Sequence, residues 1–113
     1  MAGKFELKKA TNGQFHFNLK AGNGEVILSS GMYKAKADAE NGIASVQKNA
    51  ADEARFERKT SAKGEPYFVL SAANGEVIGR SEMYASAASM EGGIASVKKN
   101  AADAKVVDLS EQA

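Results

Sequence analysis

The sequence predicts an α+β fold in which two tandem β-β-β-α-β units form one pseudo-twofold antiparallel sheet, with two helices packed on one face. Three observations support this class. The chain repeats itself with a period of about 51 residues, polar and apolar residues alternate strictly before the first Asn-Gly turn, and apolar residues then recur at helical spacing. The predicted copies span about 4–54 and about 55–109 of a single domain of 113 residues.

The repeat is clearest in two stretches. Residues 23–27 and 74–78 both read Asn-Gly-Glu-Val-Ile, and residues 42–46 and 93–97 both read Gly-Ile-Ala-Ser-Val. Two copies are too few for a solenoid, which needs three or more units. A pair related by a twofold axis is the natural solution, as in a covalently linked dimer. The sequence therefore predicts a monomer that is a fused pseudo-dimer.

Alternation and turn residues predict the strands. In the first copy Phe15, Phe17 and Leu19 alternate with His16 and Asn18, which is typical of a strand that buries one face. An Asn-Gly pair follows, and it strongly favours a hairpin. The last strand repeats the one around Phe56, so each unit ends in a strand. The predicted strands lie near 4–8, 14–21, 25–29, 55–60, 66–72, 76–80 and 105–109.

The helices are predicted near 35–49 and 87–100. Ser86 is a plausible N-cap of the second helix, whereas the first copy has Ala35 at that position. Asn49 and Asn100 are expected to end the helices in the left-handed conformation that asparagine tolerates. Each helix is expected to cover the apolar face of the sheet and to leave the other face open and polar.

The repeated motifs identify a family. The Asn-Gly-Glu turn, the Met-Tyr entry to each helix and the Gly-Ile-Ala-Ser-Val-x-Lys-Asn-Ala-Ala helix, each present twice, resemble the YegP-like family of small uncharacterised bacterial proteins, in its duplicated, two-repeat form. The resemblance covers nearly the whole chain. It implies that the two units share one sheet and exchange their C-terminal strands. It implies no established activity, cofactor or catalytic residue.

Composition and motifs exclude several classes of function. Fifteen basic and fourteen acidic residues give a formal charge of +1, without the basic excess typical of nucleic-acid binders. There is no cysteine, and no metal-ligand or phosphate-loop motif occurs. We therefore expect no enzyme, no cofactor and no metal site. No apolar run is long enough for a signal peptide or a membrane span, so the expected location is the cytoplasm.

The sequence predicts a non-enzymatic binding or interaction module that acts through the polar open sheet face or a sheet edge. Its partner would be an unidentified protein or a small ligand. The alternative is a nucleic-acid binding protein that uses aromatic and basic residues on the sheet, which the near-neutral charge disfavours. The possible binding face consists of His16, Asn18, Lys20, Tyr67, Lys8 and Lys59. In the nucleic-acid alternative, binding would depend on the aromatic and basic members of this set, without Asn18.

Two pairs of residues allow both a structural and a functional interpretation. Gly42 and Gly93 lie inside the helices, where glycine costs about 0.5–1 kcal/mol relative to alanine. They indicate a close backbone approach or a ligand that lies against the helix. Tyr33 and Tyr84 precede the helices. They would be either amphipathic lids over the core or stacking platforms for a ring.

Overall fold

The computed structural model describes residues 3–110. The elements follow the predicted order in both copies. They are β1 (Lys4–Lys9), β2 (Phe15–Lys20), β3 (Val26–Ser29), α1 (Lys36–Asn49), a short 3₁₀ turn (Glu53–Arg55), β4 (Phe56–Thr60), β5 (Pro66–Ser71), β6 (Val77–Arg80), α2 (Ala87–Ala101) and β7 (Lys105–Asp108).

All seven strands form one sheet in the order β4-β5-β6-β3-β2-β1-β7. Each copy contributes three consecutive antiparallel strands. The copies meet where β3 and β6 pair antiparallel, with Ser29 opposite Arg80. Outward from this seam, the third, second and first strands of a copy follow one another on each side, and β7 is added at one edge only. The pseudo-twofold axis therefore passes through the seam, and the predicted α+β class with tandem repeats is confirmed.

The C-terminal strands are exchanged between the copies. β4 follows α1 and so ends the first β-β-β-α-β unit, and it also serves as the first strand of the second copy, where it pairs with β5. β7 follows α2 and pairs with β1 of the first copy. The pairing of β7 with β1 is parallel, so the sheet is mixed and the prediction of a wholly antiparallel sheet is wrong at this edge. Parallel neighbours need a long connection, which the chain between β1 and β7 supplies.

One apolar cluster contains residues of both copies, and both helices cover the same face of the sheet. Phe5 and Phe17 pack edge to face with ring centroids 5.9 Å apart, and Phe56 and Phe68 repeat this contact at 5.7 Å. All four side chains are buried. Each contributes about 1.5–3 kcal/mol through its burial.

The predictions for the helix N-termini are confirmed, whereas those for the helix C-termini are not. The Ser86 hydroxyl accepts a hydrogen bond from the Ser89 amide at 3.1 Å, and Ala35 provides no side-chain cap. The predicted left-handed conformation of Asn49 and Asn100 is wrong, because both residues are helical and buried. The side-chain amide of each donates to the carbonyl oxygen four residues earlier at 2.8 Å, which satisfies it inside the helix.

The helical glycines make room for the tyrosines. A Cβ atom on Gly42 would lie 2.6 Å from Tyr33 Oη, and one on Gly93 would lie 2.1 Å from Tyr84 Oη. Each ring is also stacked on a core phenylalanine, so burial raises the pKa of both tyrosines. The predicted close approach at the glycines is therefore present, but the atoms that approach belong to a tyrosine side chain rather than to backbone.

The strand β7 is tied to α1 by an ion pair between Asp108 and Lys36. A hydrogen bond from Lys36, together with two from Ser110, lowers the pKa of Asp108 to about 2. Because this pKa lies below the ordinary aspartate value of 3.8, the pair stabilises β7 above about pH 4. That stabilisation is lost as the pH falls through 2.

We expect the carboxyl carbon of Asp108 to titrate with a midpoint near pH 2 in an NMR experiment. The substitution Lys36→Gln should raise the midpoint toward the ordinary value, since the ammonium group supplies the largest effect. A midpoint that stays the same in Lys36→Gln would show that the ion pair does not hold this end of β7.

Candidate functional site

The residues predicted to form the open face all lie on the sheet surface opposite the helices. In the first copy Lys8 is opposite His16 in the ladder, and Lys20 is opposite Lys4. Asn18 lies between His16 and Lys20 on the same surface of β2. In the second copy the predicted pair Lys59 and Tyr67 also face each other across the ladder.

These residues form two groups rather than one cluster. His16 lies on β2 and Tyr67 on β5, with β3 and β6 between them. Three inter-strand spacings and about four residues along antiparallel strands separate the two rings by roughly 20 Å. One small ligand cannot contact both rings. Each group contains one ring with a cross-strand lysine, so the two groups are equivalent under the pseudo-twofold axis.

A buried carboxylate organises the first group. Glu6 is only 7% exposed, and its carboxylate forms ion pairs with three lysines, with N–O distances of 3.0 Å to Lys20, 3.4 Å to Lys4 and 3.7 Å to Lys8. The hydrogen bond from Lys20 is the main cause of the lowered pKa of Glu6, and burial opposes it. Asn18 is directly opposite Glu6 in the ladder. The predicted residues Lys8 and Lys20 are therefore ion-paired in this structure.

The second group is more open. Glu57, the equivalent of Glu6, has 63% of its side chain exposed and contacts only Lys59, at 3.8 Å, among the described residues. The difference arises because β1 lies between β2 and β7, whereas β4 is an edge strand. Val69 lies on the same face of β5 as Tyr67 and is 5% exposed, since its neighbours across the ladder are the long side chains of Glu57 and Arg80.

The structure adds three basic residues to this face that the sequence did not assign to it. Lys4 and Lys105 are ladder partners, and Arg80 lies at the seam. Arg80 forms no ion pair with another described residue. In the part of the chain that the structure describes, six basic side chains thus share the open face with two carboxylates, an excess of four positive charges in a chain whose net charge is +1. The basic residues of the open face are Lys4, Lys8, Lys20, Lys59, Arg80 and Lys105.

The free edge of β4 is charged. Arg58 donates to Glu91 of α2 at 2.8 Å and to Glu53 at 3.3 Å, and Lys98 donates to Glu53 at 3.0 Å. These hydrogen bonds lower the pKa of both glutamates. The residue equivalent to Arg58 is Leu7, which is fully buried in β1 where β7 covers the edge. Charged edges oppose the addition of a further strand, so the structure favours the face over the β4 edge as a binding surface.

A cavity of about 410 Å³ opens at the seam between β3 and β6, and its lining includes Ser29, Ser81 and Arg80. Among residues 3–110 no three histidine, cysteine, aspartate or glutamate side chains converge as a metal site would require. Within that same part of the chain, neither helix has the length and apolar character needed to cross a bilayer.

The fold and this surface define a class: an internally duplicated α+β protein with exchanged strands, a covered apolar face and an open basic face. The chain belongs to the family described as a domain of unknown function, DUF1508, whose model matches it twice, at residues 10–57 and 61–108. Each match begins before the second strand of a copy and ends in the strand after the helix.

Named relatives and solved structures agree with this assignment. The UPF0339 protein YegP of Yersinia pestis is 58% identical over 108 residues, which are 96% of each chain. The solution NMR structure of UPF0339 protein SO3888 from Shewanella oneidensis superposes with a TM-score of 0.93 at 48% identity, covering 99% of this chain and 95% of that one. The solution NMR structure of YegP from E. coli, described as a protein of unknown function, gives 0.94 at 53% identity, covering 100% and 97%. These relatives have no established function.

Proposed function

We propose that the protein is a non-enzymatic binding protein that holds an acidic partner on the open face of its sheet. The excess of four positive charges on that face supports the proposal. A surface of one sign attracts an oppositely charged partner and accelerates its association, and both effects weaken as salt is added. We place this activity in the cytoplasm and in a monomer, because the two copies already pair with each other.

The distribution of charge favours one half of the open face, from the seam to β4, as the place where the partner binds. Three lysines near Glu6 already contact a carboxylate, whereas Arg80 at the seam contacts none among the described residues. Glu57 and Lys59 of the second group are only loosely paired. Arg80 and Lys59 therefore offer more of their hydrogen-bonding capacity to a partner than the lysines of the first group do.

An acidic protein surface suits this arrangement better than a nucleic acid does. Proteins that bind single strands stack successive bases on a row of aromatic residues. Among residues 3–110 only His16 and Tyr67 present rings on the face, and roughly 20 Å separates them. The second candidate function is nucleic-acid binding, and the cross-strand lysine beside each ring favours it.

We expect the triple substitution Lys59→Glu, Arg80→Glu and Lys105→Glu to weaken binding about tenfold or more, because it reverses the charge of the open face. Fluorescence anisotropy would be measured with a labelled oligoglutamate peptide and with a labelled single-stranded oligonucleotide at 20 and 200 mM NaCl. The matched control is Lys34→Glu, which changes an exposed lysine outside the sheet.

The preferred probe identifies the class of partner. Tighter binding of the peptide supports the acidic protein surface, and tighter binding of the oligonucleotide supports the second candidate. If neither probe binds at 20 mM NaCl, or if the triple variant binds as well as the control variant does, the open face is not the binding surface.

A further inference from the structure

Two matching grooves lie apart from the open face, and we propose that each binds a small ligand carrying a carboxylate or phosphate group. Groove 1 lies between α1 and the turn that joins β5 to β6, and its volume is about 420 Å³. Groove 2 lies between α2 and the turn that joins β2 to β3, and its volume is about 570 Å³. Both volumes are typical of small-molecule sites. This proposal does not depend on the function of the open face.

The two grooves are built from equivalent residues, and each combines a helix of one copy with a turn of the other. In groove 1, Ser45, Lys48 and Asn49 of α1 lie beside Asn74 of the turn. Six of the eight lining positions are identical between the copies, compared with about half over the whole repeat. The corresponding residues of groove 2 are Ser96, Lys99, Asn100 and Asn23.

The two positions that differ account for the difference in volume. Groove 1 has Asn41 on the helix and Ala73 in the turn, where groove 2 has Gly92 and Gly22. Both changes place the larger side chain in the smaller groove. A Cβ atom on Gly92 would meet no heavy atom within 4 Å. The width of groove 2 can therefore be altered without disturbing the core.

The turns present hydrogen-bond donors to the grooves. The Asn23 side-chain oxygen accepts from the Glu25 amide at 3.0 Å, and Asn74 makes the same bond to Glu76. Each asparagine therefore retains its NH₂ group for a ligand. The backbone amides of Gly22 and Asn23 make no hydrogen bond to another described residue. In each turn the asparagine oxygen is therefore occupied, and the side-chain NH₂ group can still donate hydrogen bonds to a ligand.

The helices add donors of the same kind. The Asn49 side-chain amide donates to the Ser45 hydroxyl at 3.2 Å, and Asn100 donates to the Ser96 hydroxyl at 3.1 Å. Neither hydroxyl donates a hydrogen bond to another described residue, so its hydrogen is left to donate to a ligand. A ligand that supplies acceptor oxygens matches this pattern.

A lysine gives each groove its charge. Lys48 and Lys99 form no ion pair with another described residue, and neither groove is lined by an aspartate or glutamate within the described chain. The neighbouring Lys98, by contrast, donates to Glu53 at 3.0 Å. The negative end of the helix dipole lies close to each groove. The lysine ammonium group offsets this negative end, so an anionic ligand suits the groove better than a neutral or cationic one does.

The test is an NMR titration of backbone amides in the intact protein with inorganic phosphate and with succinate, at constant ionic strength. Succinamide is the neutral control. We expect saturable shifts at the turn amides of both grooves, and two sites per chain. Phosphate alone, succinate alone or both can produce this result, and each identifies the anion class. The amides expected to shift are Gly22, Asn23, Ala73 and Asn74.

Variants assign the response to the grooves. Lys48→Gln should weaken binding at groove 1 about tenfold and leave groove 2 unchanged, with the reverse for Lys99→Gln, because a charge-assisted hydrogen bond is lost. The matched control is Lys98→Gln, next to Lys99 in sequence but outside the groove. Gly92→Asn should narrow groove 2 and weaken its binding alone.

Three results would overturn the proposal. They are the absence of saturable shifts with either anion, equal shifts with succinamide, and a response in the lysine variants that matches Lys98→Gln. If a lysine variant fails to fold, the comparison of anions with succinamide on the unsubstituted protein still decides the outcome.

Discussion

Replacing Gly93 by alanine is expected to destabilise the protein by about 1–3 kcal/mol, as overpacking does. The same change at Gly92 is expected to stabilise it by about 0.5–1 kcal/mol, because alanine is the better helix former. A Cβ atom at Gly93 would lie 2.1 Å from the Tyr84 hydroxyl oxygen and 2.7 Å from Cζ, the ring carbon that carries this hydroxyl. A Cβ atom at Gly92 would meet no heavy atom within 4 Å. Urea unfolding of the two variants measures both values.

The contrast between adjacent residues removes helix propensity as an explanation, since both substitutions improve it equally. Adding Tyr84→Phe to Gly93→Ala should recover part of the loss, because the nearest atom is the hydroxyl oxygen. Gly42→Ala should be destabilising as well, through Tyr33. If Gly92→Ala and Gly93→Ala change stability in the same direction, the tyrosine does not explain the glycine.

The largest loss of stability is expected at the seam between the copies. Leu28 is 1% exposed, and its equivalent in the second copy is Gly79. A Cβ atom on Gly79 would lie 2.7 Å from Leu28 Cγ and Cδ2, so the leucine of one copy occupies the space left by the glycine of the other. We expect Leu28→Ala to cost about 2–5 kcal/mol and Gly79→Ala about 1–3 kcal/mol.

A double-mutant cycle separates this contact from the rest of the core. When residue 28 is alanine, the extra methyl group at residue 79 enters space that the leucine has left. The double variant should therefore be more stable than the sum of the single changes predicts, by about 0.5–3 kcal/mol. Additive losses in urea unfolding would mean that Leu28 and Gly79 do not share one packing site.

The contact also explains why the copies differ at the axis. In a symmetric pair the same residue would face the seam from both sides. Two leucines would crowd it, and two glycines would leave a void. Covalent linkage allows one copy to carry Leu28 and the other Gly79. The duplicated chain can thus pack a complementary interface that two identical halves could not form.

Local patterns were sufficient to predict much of the fold. The strict alternation around Phe17 placed β2 and its buried face, and Ser86 marked the start of α2. The internal repeat required the two copies to be alike. These features depend on neighbours in sequence, and the sequence therefore contains enough information to identify them.

Features that depend on tertiary contacts were not predictable. The parallel pairing of β7 with β1 joins the two ends of the chain. The burial of Glu6 requires lysines from two strands. Arg80 was not assigned to the open face because the pairing of β5 with β6 shifts register after Leu70, which interrupts simple alternation.

The grooves were missed because neither copy forms one alone. Each needs a helix from one copy and a turn from the other, so no single segment reveals it. A signal was nevertheless present in the sequence. The turn asparagines Asn23 and Asn74, and the lysines Lys48 and Lys99, are among the positions that the two copies share. The predicted open-face residues lie where expected, and their role in binding stays a prediction.

The central claim is that the two copies form one cooperative unit across the seam, as the shared apolar cluster and the exchanged strands indicate. Native-state hydrogen exchange tests it most directly, because it measures local stability amide by amide. The most protected amides of β2 and of β5 should open with the same free energy, and Gly93→Ala should lower both values equally although it lies in the second copy. A loss of protection confined to β5, with β2 unchanged, would show that the copies are independent domains.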